Sequence, residues 1–451
     1  MLDMYCHKML EAVRDRLRDP TARGLAEAVG RAVGDGTLPP GAKLPPVRRV
    51  AADLCMSPTT VSAAWQLLRR SGTIRTDGRR GTIVAESRAA TGPGRYRAAL
   101  RGRSGFPLDL STGVPDPLLL PPLPALSGLS PAPTSYLDEP VLPELAALLR
   151  ERWPYQPDRL AVFDGAMDAI DQVASALLRL GDRAVVENPC FPPLLDLLET
   201  LGARVVAVGT DAEGALPGEL ETALAQRPAA VFLQPRALNP TGASWSPTRV
   251  RALAAVLARS PRAYVVEDDS AGDVASGPLH SIGSHLPLRT VHVRSFSKSH
   301  GPDLRLAAVG GPAAVLDPIL ERRLLGQGWT SRLLQRLLLS LLTDPASVAA
   351  VRAARDEYAR RRHLVLAGLR AAGIDLPPGD GLNLWLPVAD EQAALLALAS
   401  NGIAAAAGTA FQVGPGAPHV RITVGLVTAD HAEVAAHLAE AAHAPLRDAP
   451  R

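Results

Sequence analysis

Lys298 is the only lysine after residue 43 in a chain that carries 48 lysines and arginines; the other two are Lys8 and Lys43. Arginine replaces lysine freely as a solvated surface charge. It cannot replace it as an amine that forms a Schiff base, because the guanidinium never deprotonates at working pH. A lysine kept where arginine has displaced nearly all others points to amine chemistry. Its neighbours, Ser295-Phe296-Ser297-Lys298 followed by Gly301-Pro302 and Arg305, point the same way.

Other reactive residue types follow short apolar runs. After Phe163 comes Asp164-Gly165-Ala166-Met167 at the start of a helical stretch, an anion-binding geometry that suits a phosphate. Glu187-Asn188-Pro189-Cys190-Phe191 follows Val186, Asn239-Pro240-Thr241-Gly242 follows Leu233, and the carboxylates Glu267-Asp268-Asp269 follow Val266. Taken singly these are weak signals: the second could be a turn and the third a solvated strand end.

The elements that must position them are six apolar runs: residues 160–163, 183–186, 205–208, 230–233, 263–266 and 290–293. Near-continuous apolar strands separated by helices imply a mostly parallel sheet covered on both faces. Ligands in such sheets gather at the C-terminal ends of the strands, where these residues fall.

At 451 residues, two or three domains are expected. Apolar content of 47% with only 4% aromatic predicts cores of Leu, Ala and Val. No run of about 18 uncharged apolar residues suggests a membrane span, and the N-terminus lacks a signal peptide's apolar core. Three dispersed cysteines argue against a disulfide framework or a metal site. The chain reads as soluble and cytoplasmic. Its charge is uneven: residues 1–105 hold 19 basic against 9 acidic side chains, the remainder 29 against 36. A basic head on an acidic body predicts that the head meets a polyanion.

The head also carries a folding pattern. Leu25, Ala28, Val29, Ala32 and Val33 share one helical face, and Val47, Val50, Ala51 and Leu54 make a second short helix. Ser57-Pro58 starts a third, through Val61, Ala64, Trp65 and Leu68. Residues 73–75 and 82–84 alternate like strands around Asp77-Gly78, a hairpin signal. Three helices and a hairpin make a winged helix-turn-helix, with the third helix for the major groove and Arg75, Arg79 and Arg80 suited to phosphates. The stretch from Gly36 to Val84, with Leu44-Pro45, Arg48, Ser57, Thr60-Val61 and Gly81-Thr82, resembles the DNA-binding domain of GntR-type regulators. That resemblance places DNA contacts at Arg48, Ser57, Thr59, Thr60 and Gly81. Pro58 and Ala63 stand where the family is often basic, so sequence readout should differ.

In the body, the order and spacing of the motifs resemble the fold type I pyridoxal-phosphate enzymes of the aminotransferase class I/II group, over roughly residues 106 to 445. The resemblance rests on Lys298 with Arg305 and continues through Pro115-Asp116 and Arg421-Ile422-Thr423-Val424. It implies that Lys298 holds the cofactor as an internal aldimine and that Asp268 keeps the ring nitrogen protonated. Asn239 would donate to the 3-oxygen and Phe191 would stack on the ring. Gly165, Ala166, Met167, Ser295, Ser297 and Arg305 would hold the phosphate, with Tyr136 reaching in from the partner subunit. Arg421 would grip an amino acid's α-carboxylate as a bidentate fork. Three positions depart from the pattern: Ser270 replaces a tyrosine that helps hold the 3-oxygen, Ala166 a common serine, and Val141 a frequent glycine.

The whole chain is similar to the MocR family, a GntR head joined to an aminotransferase-like body. The expected fold is α/β, a winged helix-turn-helix (1–86), a basic Arg/Gly/Ala linker (87–106), a large domain with the cofactor site (107–330) and a smaller α+β domain with its tail (331–451). The resemblance implies a homodimeric transcription regulator that binds a double-stranded DNA operator and senses pyridoxal phosphate or an amino compound reacting with it. Two alternatives stay open: a working aminotransferase with a vestigial or autoregulatory head, and a regulator whose body only dimerises.

Overall fold

The computed structural model describes residues 10–70, 73–77, 81–84, 94–95, 105–124 and 138–444. Residues 10–16 are helical and lead to α1 (Ala22–Gly34), capped by Thr21, whose hydroxyl accepts from the Gly24 amide. Gly36 turns the chain at φ +78°, and the Leu38 amide bonds back to the Ala32 carbonyl. α2 (Val47–Asp53) and α3 (Pro58–Arg70) follow. The Ser57 hydroxyl accepts from the Thr60 amide at 3.0 Å, the cap expected before a helix led by proline. β1 (Ile74–Asp77) and β2 (Gly81–Val84) pair antiparallel, from Ile74 opposite Val84 to Asp77 opposite Gly81. Val29, Val50, Val61, Trp65 and Leu68 fill the core between them.

The body begins with β3 (Leu108–Asp109) and continues through α4 (Pro143–Glu151), β4 (Arg159–Phe163), α5 (Ala166–Leu177), β5 (Arg183–Asn188), α6 (Pro192–Thr200), β6 (Arg204–Asp211), β7 (Gly214–Ala215) and α7 (Pro217–Leu224). Then come β8 (Ala230–Leu233), α8 (Pro247–Ala258), β9 (Tyr264–Asp269), β10 (Thr290–Ser295), β11 (Ala307–Gly311) and α9 (Ala313–Leu324). Eight strands form one sheet in the order β4-β11-β10-β9-β8-β5-β6-β7. The five strands from β10 to β6 run parallel, while β11 is antiparallel to both neighbours and β7 to β6. Apolar residues cover both faces: Phe163, Ile170, Val186 and Phe232 on one, Val185, Val231, Leu253 and Val265 on the other. Strands buried on both sides explain why β4, β5, β8, β9 and β10 read as continuous apolar runs, whereas β6 reads so although only Val208 of its run is buried. β11 escapes that pattern because it ends in glycines. A Cβ on Gly310 would lie 2.6 Å from the Trp153 ring, so the missing side chain is what admits the indole.

The remaining elements are α10 (Arg332–Thr343), the long α11 (Pro345–Ala371), β12 (Leu384–Pro387), α12 (Glu391–Ser400), β13 (Ile403–Ala404), β14 (Ala406–Ala407), β15 (His419–Ile422) and α13 (His431–Ala442). A three-stranded sheet, β12-β15-β14, packs with α11, α12 and α13 around Leu384, Leu398, Val420 and Leu438. β3 pairs with β13, and Leu110 is buried in this C-terminal core. The segment at 108–110 thus packs with residues after 331, a crossing that a division at 107–330 does not anticipate. No single described helix is long and apolar enough to cross a membrane.

The head rests on this C-terminal unit. Leu396 of α12 is 6% exposed and belongs to the same buried cluster as Val29 and Leu68. Arg23 of α1 pairs with Glu440 of α13 at 3.0 Å.

Candidate functional site

The sheet register brings the expected residues to one edge. Ser295 at the end of β10 lies opposite Ala307, and Ala307 opposite Phe163. The loops holding Asp164-Gly165, Ser295-Ser297 and Arg305 therefore leave the sheet side by side. Arg305 adopts a left-handed conformation (φ +48°) and its Nη2 donates to the Asp164 carbonyl at 3.4 Å. Gly165 caps α5, and a Cβ there would stand 2.8 Å from Arg305 Nη2. A guanidinium is thus laid against a glycine at a helix start, with the Ala166 and Met167 amides in the first turn, a cradle for a dianion. The Ser297 amide donates to Ser295 Oγ at 3.3 Å.

Asp268 is 8% exposed at the end of β9. Its Oδ2 accepts from Gln234 Nε2 at 2.7 Å, and its Oδ1 is buried with no hydrogen-bond partner among the described residues. Burial pushes its carboxyl up to about 6, against the opposing pull of the Lys298 ammonium. Burial also lowers the Lys298 amine below its usual range, Asp268 opposing and the Arg421 charge assisting. Lys298 Nζ stands 3.4 Å from Ser270 Oγ, at the position expected to have lost a tyrosine. The Asn239 amide donates to Gln234 Oε1 at 2.7 Å, and its side-chain oxygen accepts from Asn383 Nδ2 at 3.3 Å. Phe191 caps α6 just beyond β5.

Arg421 sits in β15, fully buried, and donates through Nη2 to the Ser111 carbonyl. Its guanidinium lies 5.2 Å from the Phe411 ring centroid. A Cβ on Gly113 would fall 2.5 Å from Arg421 Nη1, so the Ser111–Gly113 loop is moulded to this side chain. Tyr136, expected from a partner subunit, lies outside the described residues.

These residues fit pyridoxal phosphate. The open Oδ1 of Asp268 matches a pyridinium N–H, the Arg305–Gly165 cradle matches a phosphate, and the lowered Lys298 amine matches an aldehyde. Sequence reading missed Gln234, which holds both Asp268 and Asn239, and Asn383, which meets Asn239. The only trace of Gln234 was a polar residue directly after the apolar run that ends at Leu233.

In the head, Arg48, Ser57 and Thr59 are exposed, Thr60 is half-buried, and Arg75 on β1 is exposed. Gly81 is exposed at φ +80°, a conformation that favours glycine. Ser57 Oγ lies 2.7 Å from Thr60 Oγ1, so the two hydroxyls meet at the start of α3. Arg79 and Arg80 lie outside the described residues.

The family model for aminotransferase class I and II matches residues 126–438, and that for bacterial regulatory proteins of the gntR family matches residues 21–84. The vitamin B6 salvage pathway transcriptional repressor PtsJ of Salmonella typhimurium is 37% identical over 411 residues, covering 90% of this chain and 94% of that protein. The pyridoxine biosynthesis transcriptional regulator PdxR of Corynebacterium glutamicum is 29% identical over 360 residues, 76% of this chain and 77% of its own. Among solved structures, a Thermus thermophilus aspartate aminotransferase mutant superposes with a TM-score of 0.65 at 25% identity, covering 74% of this chain and 96% of that one. With a GntR head, a class I/II body and full-length likeness to such regulators, this chain belongs to the MocR family of pyridoxal-phosphate-dependent transcription regulators.

Proposed function

We propose that the protein binds an operator as a homodimer and that pyridoxal phosphate, or an amino compound reacting with it, sets its operator affinity. Its relatives PtsJ and PdxR are a repressor of vitamin B6 salvage and a regulator of pyridoxine biosynthesis, which favours the cofactor itself as the signal. When bound, the cofactor supplies an aldehyde that condenses with amines and a ring that draws electrons. Asp268 holds the ring nitrogen's proton, with Gln234 fixing the carboxylate and Asn239 aimed at the 3-oxygen. Phe191 covers the ring. Gly165, Ala166, Met167, Ser295, Ser297 and Arg305 bind the phosphate, joined by the partner subunit's Tyr136. Arg421 orients an incoming carboxylate, and Lys298 offers an amine that burial makes easier to deprotonate.

The observation that carries the regulatory reading is Leu396. A body helix completes the head's own core, so movement of the C-terminal unit around a ligand at Arg421 displaces the head with it. Such coupling requires the ligand to bind two head arrangements with different affinity. The unit after residue 331 is the moving part, residues 1–86 the DNA-binding part, and the exposed side chains of Arg48, Thr59 and Arg75, with Ser57, Thr60, Gly81 and the wing arginines Arg79 and Arg80, contact DNA in the cytoplasm.

The test is a titration of wild type and Lys298→Ala with pyridoxal phosphate, read as visible absorbance and as affinity for DNA selected by the full-length protein from a random pool. The expected result is a visible band and a cofactor-dependent affinity in wild type only. A cofactor band without any change in DNA affinity overturns the sensing role. The intact set of Lys298, Asp268, Arg305 and Arg421 also favours a second reading, amino-group transfer. Exchange of amino groups between an amino acid and a keto acid, abolished in Lys298→Ala, would establish it.

A further inference from the structure

We propose that the protein has a second small-molecule site, for an organic anion with an apolar body, in the arginine-lined cavity between β10, the loop after β9 and the corner of α10 and α11. The cavity measures about 520 Å3, and Arg152, Arg236, Arg294, Arg352 and Arg355 line it with Asp273 as the single carboxylate. That volume falls within the range of small-ligand pockets. Lys298, Asn239, Arg305 and Arg421 are not among the residues that line it, so it is separate from the cofactor site.

Two of the arginines are already neutralised. Arg236 forks onto Asp269 at 2.8 and 2.9 Å, and Arg294 Nη2 meets both oxygens of Asp273 at 2.7 and 2.9 Å. The excess positive charge comes from Arg152 and Arg352, and in part from Arg355, whose partner is the exposed Asp356. Arg152 donates to the Leu342 carbonyl at 3.5 Å, Arg355 meets only its neighbour Asp356, and no described residue pairs with Arg352. His300, also in the wall, adds no charge near neutrality, because burial drives it down to about 4.

One of the lining arginines also keeps an unmet donor. Arg294 is 8% exposed, and its Nε has no hydrogen-bond partner among the described residues. Leu341, Leu342, Val348 and Val351 supply an apolar wall. Bare inorganic anions would leave that wall wet, whereas a carboxylate or phosphate ester on an apolar body satisfies both halves.

The test uses full-length protein saturated with pyridoxal phosphate and titrated calorimetrically with phenyl phosphate and with benzoate at matched ionic strength. One saturable site per chain is expected for at least one probe. The probe that binds identifies the head group, and binding of both assigns the anion without preference between them. In Arg352→Ala/Arg355→Ala, on the outer rim, affinity should fall at least tenfold while the cofactor's absorbance stays unchanged. Arg421→Ala, with the cofactor filling its own site, should bind the probe as wild type does. No saturable binding of either probe, equal binding in the double variant, or loss of binding in Arg421→Ala would each overturn the proposal.

Discussion

A Cβ on Gly113 would lie 2.5 Å from Nη1 of Arg421, closer than any real side chain approaches. Gly113 also holds φ +70° and donates its amide to Thr423 Oγ1 at 2.9 Å, two residues past that arginine. Gly113→Ala should push the guanidinium aside. The expected outcome is an amino-acid response weakened about tenfold, with the cofactor band intact, at a stability cost on the order of 1 kcal/mol. Spectral titration with amino acids checks it, and Arg421→Ala should reproduce the phenotype.

Gln234 decides how Asp268 is presented. Gln234→Leu removes the 2.7 Å bond and leaves a buried carboxylate without either partner. The carboxyl should then rise further above about 6, and affinity for pyridoxal phosphate should fall by roughly 1–3 kcal/mol. Absorbance titration of the variant measures the loss, and an unchanged affinity would remove Gln234 from the site.

Glu187 accepts from the Gln234 amide at 2.8 Å, and burial pushes its carboxyl up to about 8 from the usual 4.5. Between those values the folded protein keeps a proton that the unfolded chain has released. Its contribution is therefore complete below about 4.5 and is lost as pH rises toward 8, at up to about 1.4 kcal/mol per pH unit. Glu187→Gln keeps the acceptor and cannot ionise. Denaturant unfolding from pH 5 to 8 should show a flatter pH dependence for the variant than for wild type.

Leu396→Ala should loosen the head from the body. Large-to-small changes at buried leucines cost about 2–5 kcal/mol, and here the cavity opens between two units. Cofactor uptake should persist while the effect of cofactor on DNA affinity shrinks. Arg48→Ala should do the reverse, weakening DNA binding with cofactor uptake and its influence on affinity preserved. Fluorescence anisotropy with labelled DNA, with and without pyridoxal phosphate, separates the two.

The head was legible in the sequence because its signals are local. Ser57 caps the helix that Pro58 begins, and the expected strands pair up to Asp77 opposite Gly81. In the body, strands buried on both faces announce themselves as apolar runs, whereas β11 is hidden by its glycines. The supporting residues were not legible, because their partners are distant in the chain. Gln234 reaches Asp268 across 34 positions, Asn383 reaches Asn239 across 144, and Arg421 reaches Ser111 across 310. A side chain whose purpose is set by such a partner looks like any other polar residue near a strand. The same holds for Leu396, which reads as one more leucine in an apolar helix.

The contact between Arg23 and Glu440 spans 417 positions, and Leu396 fills its place in the head from the same distant stretch. During synthesis the ribosome therefore releases the DNA-reading surface long before it makes the residues that finish that surface's interior. The nascent head must wait, incompletely packed, until nearly the whole body has emerged. A transcript cut short therefore yields a head without its last buttress.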